Sequence, residues 1–185
     1  TACRRQRQMC IRDSCTMYPE YVNKLISISS GYKLSTLQTL HNLEQAYILD
    51  LGRESNNRNN EYLSLARMVA HKTYISLELL SNRAKSETLY DDGLIKGFLS
   101  TPQESYMMHQ GEKFIERFTP ESYLSIIKGW QNFKIEQKDL NKLKDIETLV
   151  ISVDSDVCFY PEEQKEFLEI LNNHEIRTTY TTINS

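Results

Sequence analysis

Apolar residues along this chain recur in two different rhythms, and the change from one to the other divides it. Between Val22 and Ser29 the stretch LISIS has the short β-branched character of a buried strand, introduced by a Tyr18-Pro19-Glu20 turn and broken by Gly31. From Ser35 to Asp50 the positions Leu37, Leu40, Leu43, Ala46, Tyr47 and Ile48 follow a helical period, and the polar tract GRESNNRNNE behind them predicts a loop. A long helix is predicted from about Tyr62 to Ala84. On it Tyr62, Ala66, Val69, Ala70, Thr73, Leu77, Leu80 and Ala84 share one apolar face, and Met68, Ile75 and Leu79 a second. Between the two runs a polar strip of Arg67, His71, Tyr74 and Glu78, which pattern alone reads as a solvated flank. A helix apolar on two sides is sandwiched, within a domain or against a partner.

Two further helices are predicted, Glu104 to Phe118 and Glu121 to about Phe133, with Thr119 as N-cap and Pro120 in the first turn of the second. Met107, Phe114, Ile115, Phe118, Leu124, Ile127 and Trp130 are their core candidates. The rhythm then returns to strands. Leu149, Val150, Ile151 and Val153 form an apolar run, Pro161 to Asn173 reads as a helix, and Ile176 to Ile183 as another strand. Strand, helix, strand points to a parallel α/β sheet. The roughly 100 residues between the first two strands exceed a simple crossover, so their helices are expected to form an inserted cap.

Composition narrows the function classes. Hydrophobic residues make up 39% and charged residues 25% of the 185, enough for a core of about one domain. Arg4, Arg5, Arg7 and Arg12 against Asp13 give residues 1–14 a charge of +3, so the rest carries −6 of the net −3. An acidic body argues against nucleic-acid binding. Cys3, Cys10 and Cys15 crowd the start and Cys158 stands alone, without zinc-ligand spacing, while His41, His71, His109 and His174 are scattered. No metal site is predicted. No apolar run approaches the roughly 18 residues that span a bilayer, and the basic start lacks a signal sequence's apolar stretch, so no membrane association and a cytoplasmic location are expected.

Asp156 follows the strand that ends near Val153, two residues beyond Asp154. Open α/β sheets place catalytic and ligand groups there, but an aspartate at that point also caps helices or makes Asx turns. The pattern leaves both readings open.

Three segments, LARMVAHKTYISLELLSNRAK, SYMMHQGEKFIERFTPESYLSIIKGW and LKDIETLVISVDSDVCFYPEEQ, resemble in this order the homoserine O-acetyltransferase family of the α/β-hydrolase superfamily, and the resemblance runs from about Tyr18 to the last residue. It implies a partial α/β-hydrolase core over residues 15–34 and 136–185, about three strands, with a helical cap over 35–135. In the tract Ser155-Asp156-Val157-Cys158-Phe159-Tyr160-Pro161 it makes Asp156 the catalytic aspartate, which orients a histidine and stabilises its imidazolium. It assigns Arg67 and Tyr74 to the amino-acid substrate, and their seven-residue spacing fits one helix face. The implied reaction is ping-pong acyl transfer from acetyl-CoA, as co-substrate with no bound cofactor, to the hydroxyl of L-homoserine, a step of methionine biosynthesis. A narrow, dry pocket under the cap would favour transfer over hydrolysis. The resemblance also implies a homodimer through cap helices, using the face of Met68, Ile75 and Leu79.

The family's nucleophile belongs on an elbow about a dozen residues before the YP turn, among the arginines near Arg5, and its histidine roughly thirty residues after the aspartate. No G-x-S-x-G stands at the first position, Ser14 lacks flanking glycines, and the chain stops at Ser185. The chain is therefore expected to be an inactive fragment with an exposed strand edge, and TACRRQRQMCIRDS to be a non-native, adapter-like tract. Serine acceptors, succinyl donors, another α/β-hydrolase activity, or an inert cap or dimerisation module are the alternatives.

Overall fold

Parallel strands cannot be joined by a tight turn, and the intervals between this chain's three strands follow from that requirement. The structure, a computed structural model, describes residues 14–54, 58–84 and 101–184. The opening tract's arginines, Cys3 and Cys10 lie outside the described residues. Two units are present, one of Thr1–Gln38 with Lys128–Ser185 and one of Thr39–Ile127.

The first unit holds the sheet. Strands β1 (Lys24–Ile28), β2 (Glu147–Val153) and β3 (Thr178–Ile183) lie in that order, each pair parallel. The register aligns Ile26 with Leu149 and Leu149 with Thr179. Alternation sends Leu25, Ser27, Thr148, Val150 and Ser152 into the core. There they meet Ile135, Leu140, Leu143 and Ile146, together with Phe167 and Leu171 of the helix Pro161–Asn173. The ring of Phe167 stacks on Tyr32 at 5.7 Å between centroids. On the opposite face Ile26 and Ile28 are 58% and 48% exposed, an apolar surface unlike the doubly covered faces usual for parallel sheets. The helix Pro161–Asn173 ends in a Schellman motif, with Glu175 left-handed at φ 59°. Glu175 N–H donates to the Asn172 carbonyl at 2.9 Å, and Ile176 N–H to that of Leu171 at 3.1 Å. The buried pair Leu171 and Ile176 seals the turn that sends the chain into β3.

Five helices make up the cap: α1 (Thr36–Glu54), α2 (Asn59–His71), α3 (Leu77–Ala84), α4 (Pro102–Ile115) and α5 (Pro120–Gln131), with the unit boundaries falling inside α1 and α5. The short helix Gln137–Leu140 is α6 and Pro161–Asn173 is α7. A capping box of Thr101 and Glu104 with Pro102 starts α4. At α5, Ser122 N–H donates to Thr119 Oγ1 at 3.2 Å, as the Thr119-Pro120 pair predicts.

Several expectations are corrected here. The helix predicted from Tyr62 to Ala84 is two helices. Thr73 and Tyr74 N–H groups tighten onto the carbonyls of Ala70 and His71, at 3.2 and 3.0 Å, closing α2. Ser76 then caps α3 by accepting the Leu79 N–H at 3.2 Å. The break takes Leu77 out of the predicted apolar face and leaves it exposed. The loop predicted at Gly52 is helix through Glu54, and Gly52 is needed for closeness, since a Cβ there would lie 2.8 Å from Tyr62 Cβ. On α1 the predicted apolar positions are only partly covered, with Leu37, Ala46 and Ile48 half-buried. Leu40, Leu43 and Tyr47 are 51%, 62% and 62% exposed, while Gln38, Asn42, Gln45 and Leu49 are buried. Gln45 accepts a hydrogen bond from the Tyr123 hydroxyl, and Gln38 donates to the Cys158 carbonyl.

Replacing Phe167 by Ala leaves a cavity in the sheet core and is expected to cost about 3–5 kcal/mol. Urea denaturation measures it; an unchanged midpoint would show that the ring does not hold the unit together.

Candidate active site

A guanidinium is costly to bury, so its surroundings are informative wherever one is found inside a unit. Arg67 lies on α2 with 7% of its surface exposed, and His71, one turn later, with 6%. The strip expected to be solvated is therefore interior for these two residues. Burial follows from the close approach of α2 and α4 at Gly111, where a Cβ would meet Ser64 Oγ at 2.2 Å. Met68, assigned above to an outward face, lies beside that contact, its Cγ 3.3 Å from the same point.

The Arg67 guanidinium carbon is 4.7 Å from the ring centroid of Tyr74 and 4.9 Å from that of Phe114. Two aromatic contacts of this kind contribute roughly 0.5–2 kcal/mol each to holding the cation. Arg67 and Tyr74 are thus brought together, although Tyr74 lies beyond the end of α2 in the turn before α3. The ring of His71 meets Tyr74 edge-on, 6.1 Å between centroids at 82°, and Tyr106 at 5.7 Å. Its Nε2 is 3.4 Å from the Tyr106 hydroxyl. Burial first, and the nearby Arg67 charge second, lower the His71 pKa from 6.5 to about 4, so the imidazole is neutral at physiological pH. Glu78, the fourth member of the strip, is exposed on α3.

Tyr106 and Phe114 are the members that sequence reasoning missed. Both lie on the buried face of α4, and Phe114 reads as ordinary core; the signal available was only their helical spacing.

In the sheet unit Asp156 follows β2, its N–H donating to the Val153 carbonyl at 3.2 Å. Its Oδ1 accepts the N–H groups of Cys158 and Phe159, both at 2.8 Å, making the Asx turn that carries the chain to Pro161 and α7. The turn uses Oδ1, and Oδ2 takes no part in it. Glu163, in the first turn of α7, has its carboxyl pKa raised, first by burial and then by the charge of Glu166, with a smaller push from Asp156. Ser14 is exposed in a helical turn at residues 14–17. Among the described residues no group of three or more His, Cys, Asp or Glu side chains could hold a metal ion, and no helix is long and apolar enough to cross a membrane.

A curated homoserine O-acetyltransferase from Methanosalsum zhilinae is 34% identical over 182 residues, taking in 91% of this chain and 37% of that protein. One from Methanococcus vannielii is 28% identical over 192 residues, taking in 92% and 37%. The chain is a relative of the homoserine O-acetyltransferases. It spans little more than a third of the length of these relatives, 37% in each case. No family model matches the chain. Among solved structures, homoserine O-acetyltransferase from Bacillus anthracis superposes with a TM-score of 0.79 at 12% identity, covering 96% of this chain and 51% of that one. Esterase E22 does so with a TM-score of 0.80 at 15% identity, covering 96% and 52%. These likenesses show the α/β-hydrolase fold.

Because the folded His71 pKa is lowered to about 4, folding excludes a proton that the unfolded chain binds near 6.5. Stability from this group is fully present above about pH 6.5 and is lost as pH falls toward 4, by on the order of 2–3 kcal/mol. Urea midpoints from pH 7 to 4 should show this fall in the native chain and a flatter profile in His71→Gln; parallel profiles would contradict it.

Proposed function

We propose that the chain carries the substrate-binding cap and the acid residue of a homoserine O-acetyltransferase. The observation that carries this reading is the buried Arg67 guanidinium, 4.7 Å from the ring of Tyr74 and 4.9 Å from that of Phe114, in a chain related to enzymes of that name. Two aromatic rings beside it restrict the guanidinium, whose planar fork of N–H groups can meet a carboxylate in a bidentate pair. The carboxylate assigned to it is that of L-homoserine, with the Tyr74 hydroxyl adding a directional hydrogen bond. Asp156 holds the triad histidine through Oδ2, while its Asx turn keeps the carboxylate rigid. The acetyl group passes from acetyl-CoA to an enzyme serine and on to the substrate hydroxyl. No cofactor is assigned, and the setting is cytoplasmic methionine biosynthesis. The homodimer proposed through cap helices is supported better by the exposed Leu40, Leu43 and Tyr47 of α1 than by Met68, which lies against α4.

Binding tests the cap and turnover tests the aspartate. Calorimetry of this chain with L-homoserine should show an affinity that Arg67→Ala lowers tenfold or more, about 1.4 kcal/mol or greater. Unchanged affinity would remove Arg67 from the site. In the enzyme with its complete triad, Asp156→Asn should lower kcat by about 10³–10⁴ with little change in KM for L-homoserine. L-serine, succinyl-CoA and water, offered as alternative partners, decide acceptor, donor and transfer against hydrolysis.

A further inference from the structure

Helix geometry does not account for the position of Tyr74. On a continuous helix it would follow Arg67 at nearly two turns, but α2 ends at His71 and the chain turns before α3 begins at Leu77. Something other than helical period must therefore keep the Tyr74 ring 4.7 Å from the Arg67 guanidinium. His71 grips this residue twice. Its carbonyl accepts the Tyr74 N–H at 3.0 Å, and its imidazole packs edge-on against the Tyr74 ring at 82°. The imidazole is itself anchored from α4, where Nε2 lies 3.4 Å from the Tyr106 hydroxyl. With 6% of its surface exposed, the ring has little room to turn.

We infer that His71 is a positioning residue, a wedge between Tyr106 and Tyr74 that sets the Tyr74 ring against Arg67 and thereby shapes the carboxylate-binding pair. The functional half of this statement rests on the L-homoserine reading above; the geometric half does not. The groups facing the imidazole are Arg67 on its own helix, Tyr74 in the following turn and Tyr106 on α4. A neutral ring suits this place, because a second cation beside Arg67 would repel the first. Phenylalanine preserves the aromatic edge toward Tyr74 and gives up the Tyr106 contact. Glutamine does the reverse, and alanine removes both.

The test is made on the isotope-labelled chain by NMR, with L-homoserine affinity measured alongside. Ring currents of Tyr74 and Phe114 displace the Arg67 side-chain resonances, and this displacement reports the stacking before any ligand is added. His71→Ala is expected to lose the Tyr74 share of it, as Tyr74→Ala does, and to weaken L-homoserine binding about tenfold. His71→Phe is expected to restore the displacement. If His71→Ala fails to fold, His71→Gln takes its place, with the same loss expected. Unchanged Arg67 resonances in a folded His71→Ala or His71→Gln chain would overturn the inference. Loss of the displacement in a chain whose native form binds no L-homoserine would uphold the positioning role and reject the substrate.

Discussion

Parallel pairing of β2 with both β1 and β3 is the constraint on which the remainder of the molecule depends. Buried at its centre, Val150 has no exposed surface and lies in register with Ser27 and Tyr180. Parallel neighbours require the chain to leave one end of the sheet and return at the other. Between β2 and β3 that return is made by α7; between β1 and β2 it takes in all five cap helices. The same pairing brings the chain out of β2 at its carboxyl end, where Asp156 makes its turn, so the place of that turn and the long insertion between β1 and β2 both follow from one ladder.

Within the cap the governing problem is a buried charge. Arg67 is accommodated by two aromatic faces, and the histidine one turn away is kept neutral by the same burial and by the arginine itself. The cluster therefore carries one positive charge where the residue types alone would allow two. The arrangement draws its geometry from helix packing that glycine permits at position 111. The polar face of α1 obeys the same rule: Gln38 and Gln45 go inside because each meets a hydrogen-bond partner there.

Much of the sheet unit was legible in the chain. The helix Pro161–Asn173 begins and ends at the predicted residues; a first-turn proline marks its start locally, and the left-handed Glu175 closes its end. Asp156 was legible as a residue just beyond a buried strand, and of the two readings that pattern offered, the Asx turn is the one formed in the structure. The cap was less legible. Of the apolar positions with a helical period on α1, Leu40, Leu43 and Tyr47 proved exposed, and a continuous helix was expected where Thr73 and Ser76 end one and cap another.

Sequence by itself determined the strands, the limits of the helix Pro161–Asn173, the position of Asp156 and the kinship with homoserine O-acetyltransferases, because turn residues, caps and apolar periods act over a few neighbours. Tertiary structure alone decided that Arg67 and His71 are interior, that Tyr106 and Phe114 surround them, and that Tyr74 still meets Arg67 across a helix break. Those outcomes turn on how closely α2 approaches α4, a distance set by residues 47 positions apart, Ser64 and Gly111, and no local period carries it.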